Sequence, residues 1–83
     1  MSVIERQERS LAEAVALLVE AIHQSLPAVS TRPVPPYEDE DFTLEVRIPA
    51  GMDRSEVMNT CIRHAQDIED VFGFAILTRV KKG

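Results

Sequence analysis

Apolar positions recur along this chain with two periods, and each change of period marks a new element. From residue 3 to residue 26 they fall at three- and four-residue steps: Ile4, Leu11, Val15, Leu18 and Ile22, with Ala14 and Val19 widening the stripe. Glu5, Arg6, Arg9, Glu13, Glu20 and Gln24 occupy the other side. No Gly or Pro interrupts the run, so a long amphipathic helix is predicted. Ser2 is placed to cap it, and Glu5 to complete a capping box. Pro27 stops it, because proline lacks an N–H and disfavours a helical residue before it.

The period then drops to two. Over residues 42–49, Phe42, Leu44, Val46 and Ile48 alternate with Thr43, Glu45 and Arg47, which predicts a half-buried β-strand closed by Pro49. Helical spacing returns over residues 53–72, where Val57, Met58, Cys61, Ile62, Ala65, Ile68 and Phe72 form the stripe. Asp53 is the expected N-cap, with Glu56 at capping-box distance, and Gly73 is the expected left-handed residue past the end. Residues 74–81 alternate again. Phe74, Ile76, Thr78 and Val80 face one way, and Ala75, Leu77, Arg79 and Lys81 the other. Leu77 on the outward side predicts that this face is partly covered.

Residues 27–41 show neither period. Pro27, Pro33, Pro35 and Pro36 favour an extended path, and Glu38, Asp39, Glu40 and Asp41 repel one another into solvent. The segment reads as a stiff linker between helix and sheet. Long loops in small domains also serve function, so a docking segment for a basic or proline-reading partner is the sharper alternative.

The fold class is therefore α+β: a two-layer α-β-α-β chain whose second half is a β-α-β unit. Short turns at both ends of the second helix make its strands parallel, with a right-handed crossover expected. Two strands are too few for an independent sheet. With 83 residues there is room for one domain, which at this size buries only ~60% of its unfolded surface. The core must be mostly aliphatic, since there is no Trp and the aromatics are Tyr37, Phe42, Phe72 and Phe74. One cysteine excludes an internal disulfide. Self-association is the remaining way to complete the fold. A two-fold axis beside the first strand would make a four-stranded, ferredoxin-like sheet from two chains. With the axis at Val46, Glu45 would face Arg47 of the copy, and the reverse. The first helix offers a second dimer element through Leu11, Val15 and Leu18, whose spacing approximates a heptad seam.

Charge narrows the partners. A net charge of −5 argues against nucleic acid and against anionic membranes. The N-terminal segment is broken by charges, unlike a secretory signal, and the longest apolar run, residues 14–19, is far too short to span a bilayer. A lone free cysteine suits a reducing compartment, so a cytoplasmic location is expected.

Candidate chemistry is thin. Cys61 and His64 are neighbours on one helical face, with Asp67 in reach of the histidine, as a nucleophile–base pair needs. Cys61 lies in the apolar stripe, however, where a thiol acts as a small hydrophobe. His64, Asp67 and Asp70 span too many turns of one helix to converge on a metal without His23 or a second chain. Residues 38–41 lack the spacing and glycine of a calcium loop. Gly51, Gly73 and Gly83 are isolated, so no phosphate loop is present. The best ligand surface is the basic strand face of Arg47, Arg79 and Lys81, with Arg54 nearby. No catalytic, cofactor or metal residue is assigned. The expectation is a non-enzymatic interaction or adaptor module that forms a homodimer and binds another protein. The alternatives are a domain binding a small ligand or anion and, more distantly, an enzyme whose site forms between subunits.

Overall fold

The computed structural model describes residues 3–82, with side chains from Leu11 onward; the Ser2 cap and the side chain of Ile4 lie outside that description. Helix α1 covers Val3–Ser25, strand β1 Ser30–Val34, strand β2 Phe42–Ile48, helix α2 Arg54–Phe72 and strand β3 Ile76–Lys82. The architecture is α+β, with two helices packed on one face of a three-stranded mixed sheet of order β1-β2-β3.

α1 forms where the long stripe predicts it. Ala14, Leu18 and Ile22, spaced four apart, are fully buried, and Val15 and Val19 pack beside them. Leu18 and Ile22 each contribute about 1.5–3 kcal/mol by leaving water. Past the helix, Leu26 N–H still donates to the Ile22 carbonyl at 2.7 Å before Pro27 turns the chain away.

α2 starts at the expected cap. The Asp53 carboxylate accepts the Ser55 N–H at 2.9 Å and the Glu56 N–H at 3.5 Å. It ends where Gly73 takes φ 81° and donates its N–H to the Glu69 carbonyl at 2.7 Å. β3 begins two residues later than the alternation predicts. The reason is Asp41, whose carboxylate accepts the Ala75 N–H at 2.8 Å while its own N–H donates to the Ala75 carbonyl. Ladder pairing with β2 therefore opens at Phe42 opposite Ile76.

β2 and β3 are parallel, as the short turns around α2 require. The segment read as a linker holds a third strand. β1 runs antiparallel to β2 with Ser30 opposite Arg47, Thr31 opposite Val46 and Arg32 opposite Glu45. It is anchored by the buried Val29. Pro33 is tolerated because β1 is an edge strand, where half of the N–H groups are not needed by the ladder. This corrects the two-chain pairing proposed at Val46: that edge of the strand is already filled by the chain's own residues 30–34, and Val46 is central and fully buried.

The helix-facing side of β2 is apolar as expected, with Leu44, Val46 and Ile48 buried. The other side is not simply wet. Thr43 and Glu45 are buried too, because residues 35–41 fold back over that face. No described helix is long and apolar enough to cross a membrane.

Candidate functional site

The face of the sheet turned away from the helices is the one surface where charge, shape and register converge. Strand alternation places Arg32 of β1, Thr43, Glu45 and Arg47 of β2, and Leu77, Arg79 and Lys81 of β3 on it. Register puts Glu45 directly between Arg32 and Arg79, and Arg47 opposite Lys81.

Glu45 is the hub. It is only 5% exposed, yet its carboxylate is fully engaged. Arg47 donates its Nε–H to Oε1 at 3.0 Å, and Arg32 donates its Nε–H to Oε2 at 3.2 Å. These bonds, Arg47's foremost, hold the carboxyl below its ordinary range against the opposing effect of burial. Cross-strand and same-face charge pairing is what the strand pattern suggested. The partners of Glu45 are in its own chain, however, rather than in a copy.

Arg79 lies across from Glu45 but turns elsewhere. Its guanidinium sits 4.3 Å from the centre of the Tyr37 ring and donates to the Tyr37 hydroxyl. Among the described residues, neither Arg79 nor Lys81 makes an ion pair. Together with Glu45 and the chain from Val34 to Tyr37 they line a groove of about 310 Å³.

A strap, residues 35–41, forms one wall of this groove. Its shape depends on Glu40, whose carboxylate accepts the Tyr37 N–H at 2.6 Å, the Glu38 N–H at 3.1 Å and the Thr43 hydroxyl at 2.6 Å. These bonds, the Thr43 one first, bring its carboxyl down to about 2. The acidic run is thus divided. Glu40 and Asp41 are structural acceptors, while Glu38 and Asp39 stand in solvent. A second groove, of about 400 Å³, runs between Tyr37, residues 38–40, Ala75 and the β3 side chain Leu77.

The structure separates the remaining candidates. Cys61 is fully buried in the core, and desolvation pushes its thiol up to about 11, the reverse of what a nucleophile needs. His64 turns to Ser25, with Nε2 3.0 Å from its Oγ, and so ties α2 to the end of α1. His23 is 3.0 Å from the Thr31 hydroxyl and ties α1 to β1. No group of three His, Cys, Asp or Glu side chains converges among the described residues. Arg54 opens α2, in the helical layer, apart from the basic face. Leu18 is in the core, whereas Leu11 and Val15 are half-buried beside Phe42, along an open apolar groove of about 450 Å³.

Arg47, Arg79 and Lys81 were visible in the sequence as a basic strand face. Arg32, Tyr37 and Glu40 were not, because they lie in the segment read as a spacer. The signal available was the alternation of Val29 and Thr31 with Ser30 and Arg32, too short to stand out beside four prolines. No family model, curated protein or solved structure matches this chain.

Proposed function

We propose that this chain is a non-enzymatic interaction module that holds an acidic segment of a partner protein on the open face of its sheet. The observation that carries the reading is the charge of that face. Arg32, Arg47, Arg79 and Lys81 project from its strands around the one strand carboxylate, Glu45, in a chain whose net charge is −5. Arg32 and Arg47 are committed to Glu45, which leaves Arg79 and Lys81 as donors beside an aromatic and proline wall. Carboxylates meeting arginine and lysine at a partly apolar groove gain charge-assisted hydrogen bonds and complementary steering. In this reading Tyr37 holds Arg79 in place until a partner's carboxylate arrives.

The test is fluorescence anisotropy with a labelled glutamate-rich peptide, a lysine-rich control and a single-stranded oligonucleotide. The acidic peptide is expected to bind, more weakly as salt rises. Replacing both Arg79 and Lys81 with Ala should cost about tenfold in affinity, near 1.4 kcal/mol. Equal binding of the double variant, or tighter binding of the oligonucleotide, would refute the reading. The groove's size also suits a small anion, which favours the ligand-binding alternative. Competition by millimolar citrate or phosphate, with no peptide binding, would select it instead.

A further inference from the structure

β3 is the outer strand of the sheet, and among the described residues no strand pairs with its far edge. An edge strand points alternate N–H and C=O groups outward, a template for another strand. β1, at the opposite edge, is shorter and carries Pro33, which blunts it. β3 has seven residues and no proline.

We propose that β3 pairs antiparallel with β3 of a second copy, around a two-fold axis at Thr78, to make one continuous six-stranded sheet. Three observations select this occupant. The first is register. An axis at Thr78 sets Thr78 against itself, Ile76 against Val80, Leu77 against Arg79 and Ala75 against Lys81 of the copy. An axis at Arg79 would oppose two arginines, and one at Val80 would oppose Arg79 to Lys81; like charges directly opposite are destabilising.

The second is charge along the strand. The start of β3 is acidic, because Asp41 is bonded to Ala75 and residues 38–40 rim the neighbouring groove. The end of β3 is basic, with Arg79, Lys81 and Lys82. Antiparallel pairing brings each basic end to the other copy's acidic end, so Lys81 of one chain reaches the groove beside Asp41 of the other.

The third is apolar surface on both sides of the same edge. Leu77 is 41% exposed on the open face. Ile62 is 44% exposed on α2 and lies roughly 160° around that helix from His64, which faces α1. α1 is tied to β1 and α2 packs on β3, so Ile62 overhangs the free edge. The pairing covers both side chains and replaces two open edges by one closed ladder.

Sedimentation equilibrium from micromolar to millimolar concentration tests this. A species of twice the 9.3 kDa chain mass is expected, weakening as salt rises. Leu77→Lys and Lys81→Glu are at exposed positions and should leave the circular dichroism unchanged. Each should weaken self-association about tenfold or more, since each change is made twice across the axis. Thr78→Cys should cross-link on oxidation, because paired Cα atoms in an antiparallel ladder stand about 4.5–5.5 Å apart, within disulfide reach. A monomer at every concentration would overturn the proposal. So would a dimer untouched by both substitutions, or one that Cys at position 78 fails to cross-link.

Discussion

Leu17 and Leu18 are adjacent on α1 and differ only in what surrounds them. Leu18 is 0% exposed, in a cluster with Ile22, Leu44 and Val57, whereas Leu17 is 47% exposed. Changing either to Ala removes the same atoms and gains the same helix propensity, so the difference between the variants isolates burial. A buried Leu→Ala loses the transfer free energy of the removed carbons plus a cavity term, about 2–5 kcal/mol in all. A domain of this length has roughly 4–12 kcal/mol of stability to lose. Leu18→Ala is therefore expected to be destabilised by about 3 kcal/mol, and Leu17→Ala by less than about 1 kcal/mol. At this size each kcal/mol moves Tm by about 4–8 °C, so Leu18→Ala should melt well over 10 °C lower. Urea unfolding followed by circular dichroism at 222 nm reads both. Equal, small losses would refute the docking of α1 on the sheet. Equal losses that vanish on dilution would instead make the α1 stripe an intermolecular seam.

Two further outcomes follow from backbone geometry and from the strap. At Gly73 an added Cβ meets nothing within 4 Å, so the positive φ of 81° is its only obstacle. Gly73→Ala should cost about 1–2 kcal/mol in a denaturant melt, and Gly73→Asn distinctly less, because Asn tolerates the left-handed region; equal costs would contradict this. The Glu40 carboxyl falls from 4.5 to about 2 on folding, so its bonds add stability above pH 4.5 that is lost as pH drops toward 2. Tyr37 is the only tyrosine and there is no tryptophan, so tyrosine emission reports the strap directly. Emission should change over that pH window in the wild type, while Glu40→Gln should already show the altered signal at neutral pH. A transition centred above pH 5 would rule out Glu40 as its origin.

How far the sequence reached depends on whether a signal was local. α1, β2 and α2 were legible because their stripes, the Asp53 cap and Gly73 are written within a few residues of where they act. The parallel pairing of β2 with β3 was legible because the turns around α2 leave no other direction. β1 was not, since five residues with a proline become a strand only when the edge of β2 is there to receive them. The same non-local step hid half of the candidate site. Arg32 and Tyr37 reach the basic face only after residues 27–41 fold back, and Glu40 becomes an acceptor only when Thr43 and the Tyr37 N–H meet it. The expected self-pairing of Glu45 with Arg47 rested on sound cross-strand logic applied to the wrong partner: Arg32 occupies the place given to the copy.

The placement of Glu45 bears on why the open face can be basic at all. Four of the nine Lys and Arg residues project from its strands, against one of the fourteen carboxylates, Glu45; Glu38, Asp39, Glu40 and Asp41 lie in the strap beside it. Cations crowded on one strand face repel, and like charges on neighbouring strands weaken the ladder. Glu45 relieves this at the central strand, where its two oxygens engage Arg47 on one side and Arg32 on the other. It does so without neutralising the face. Arg79, although in register with Glu45, is drawn off to Tyr37, and Lys81 stays unpaired among the described residues. The fold thus spends one buried carboxylate on the β1–β2 side and leaves the β3 side positive. The side left positive is also the open edge of the sheet. Recognition of an acidic segment on the face and pairing of β3 across the edge therefore draw on the same residues, Arg79 and Lys81. If both occur, they are linked: a dimer that directs Lys81 toward its copy's acidic groove withdraws that cation from the face, so an acidic partner binds the monomer more tightly and its binding opposes dimerisation.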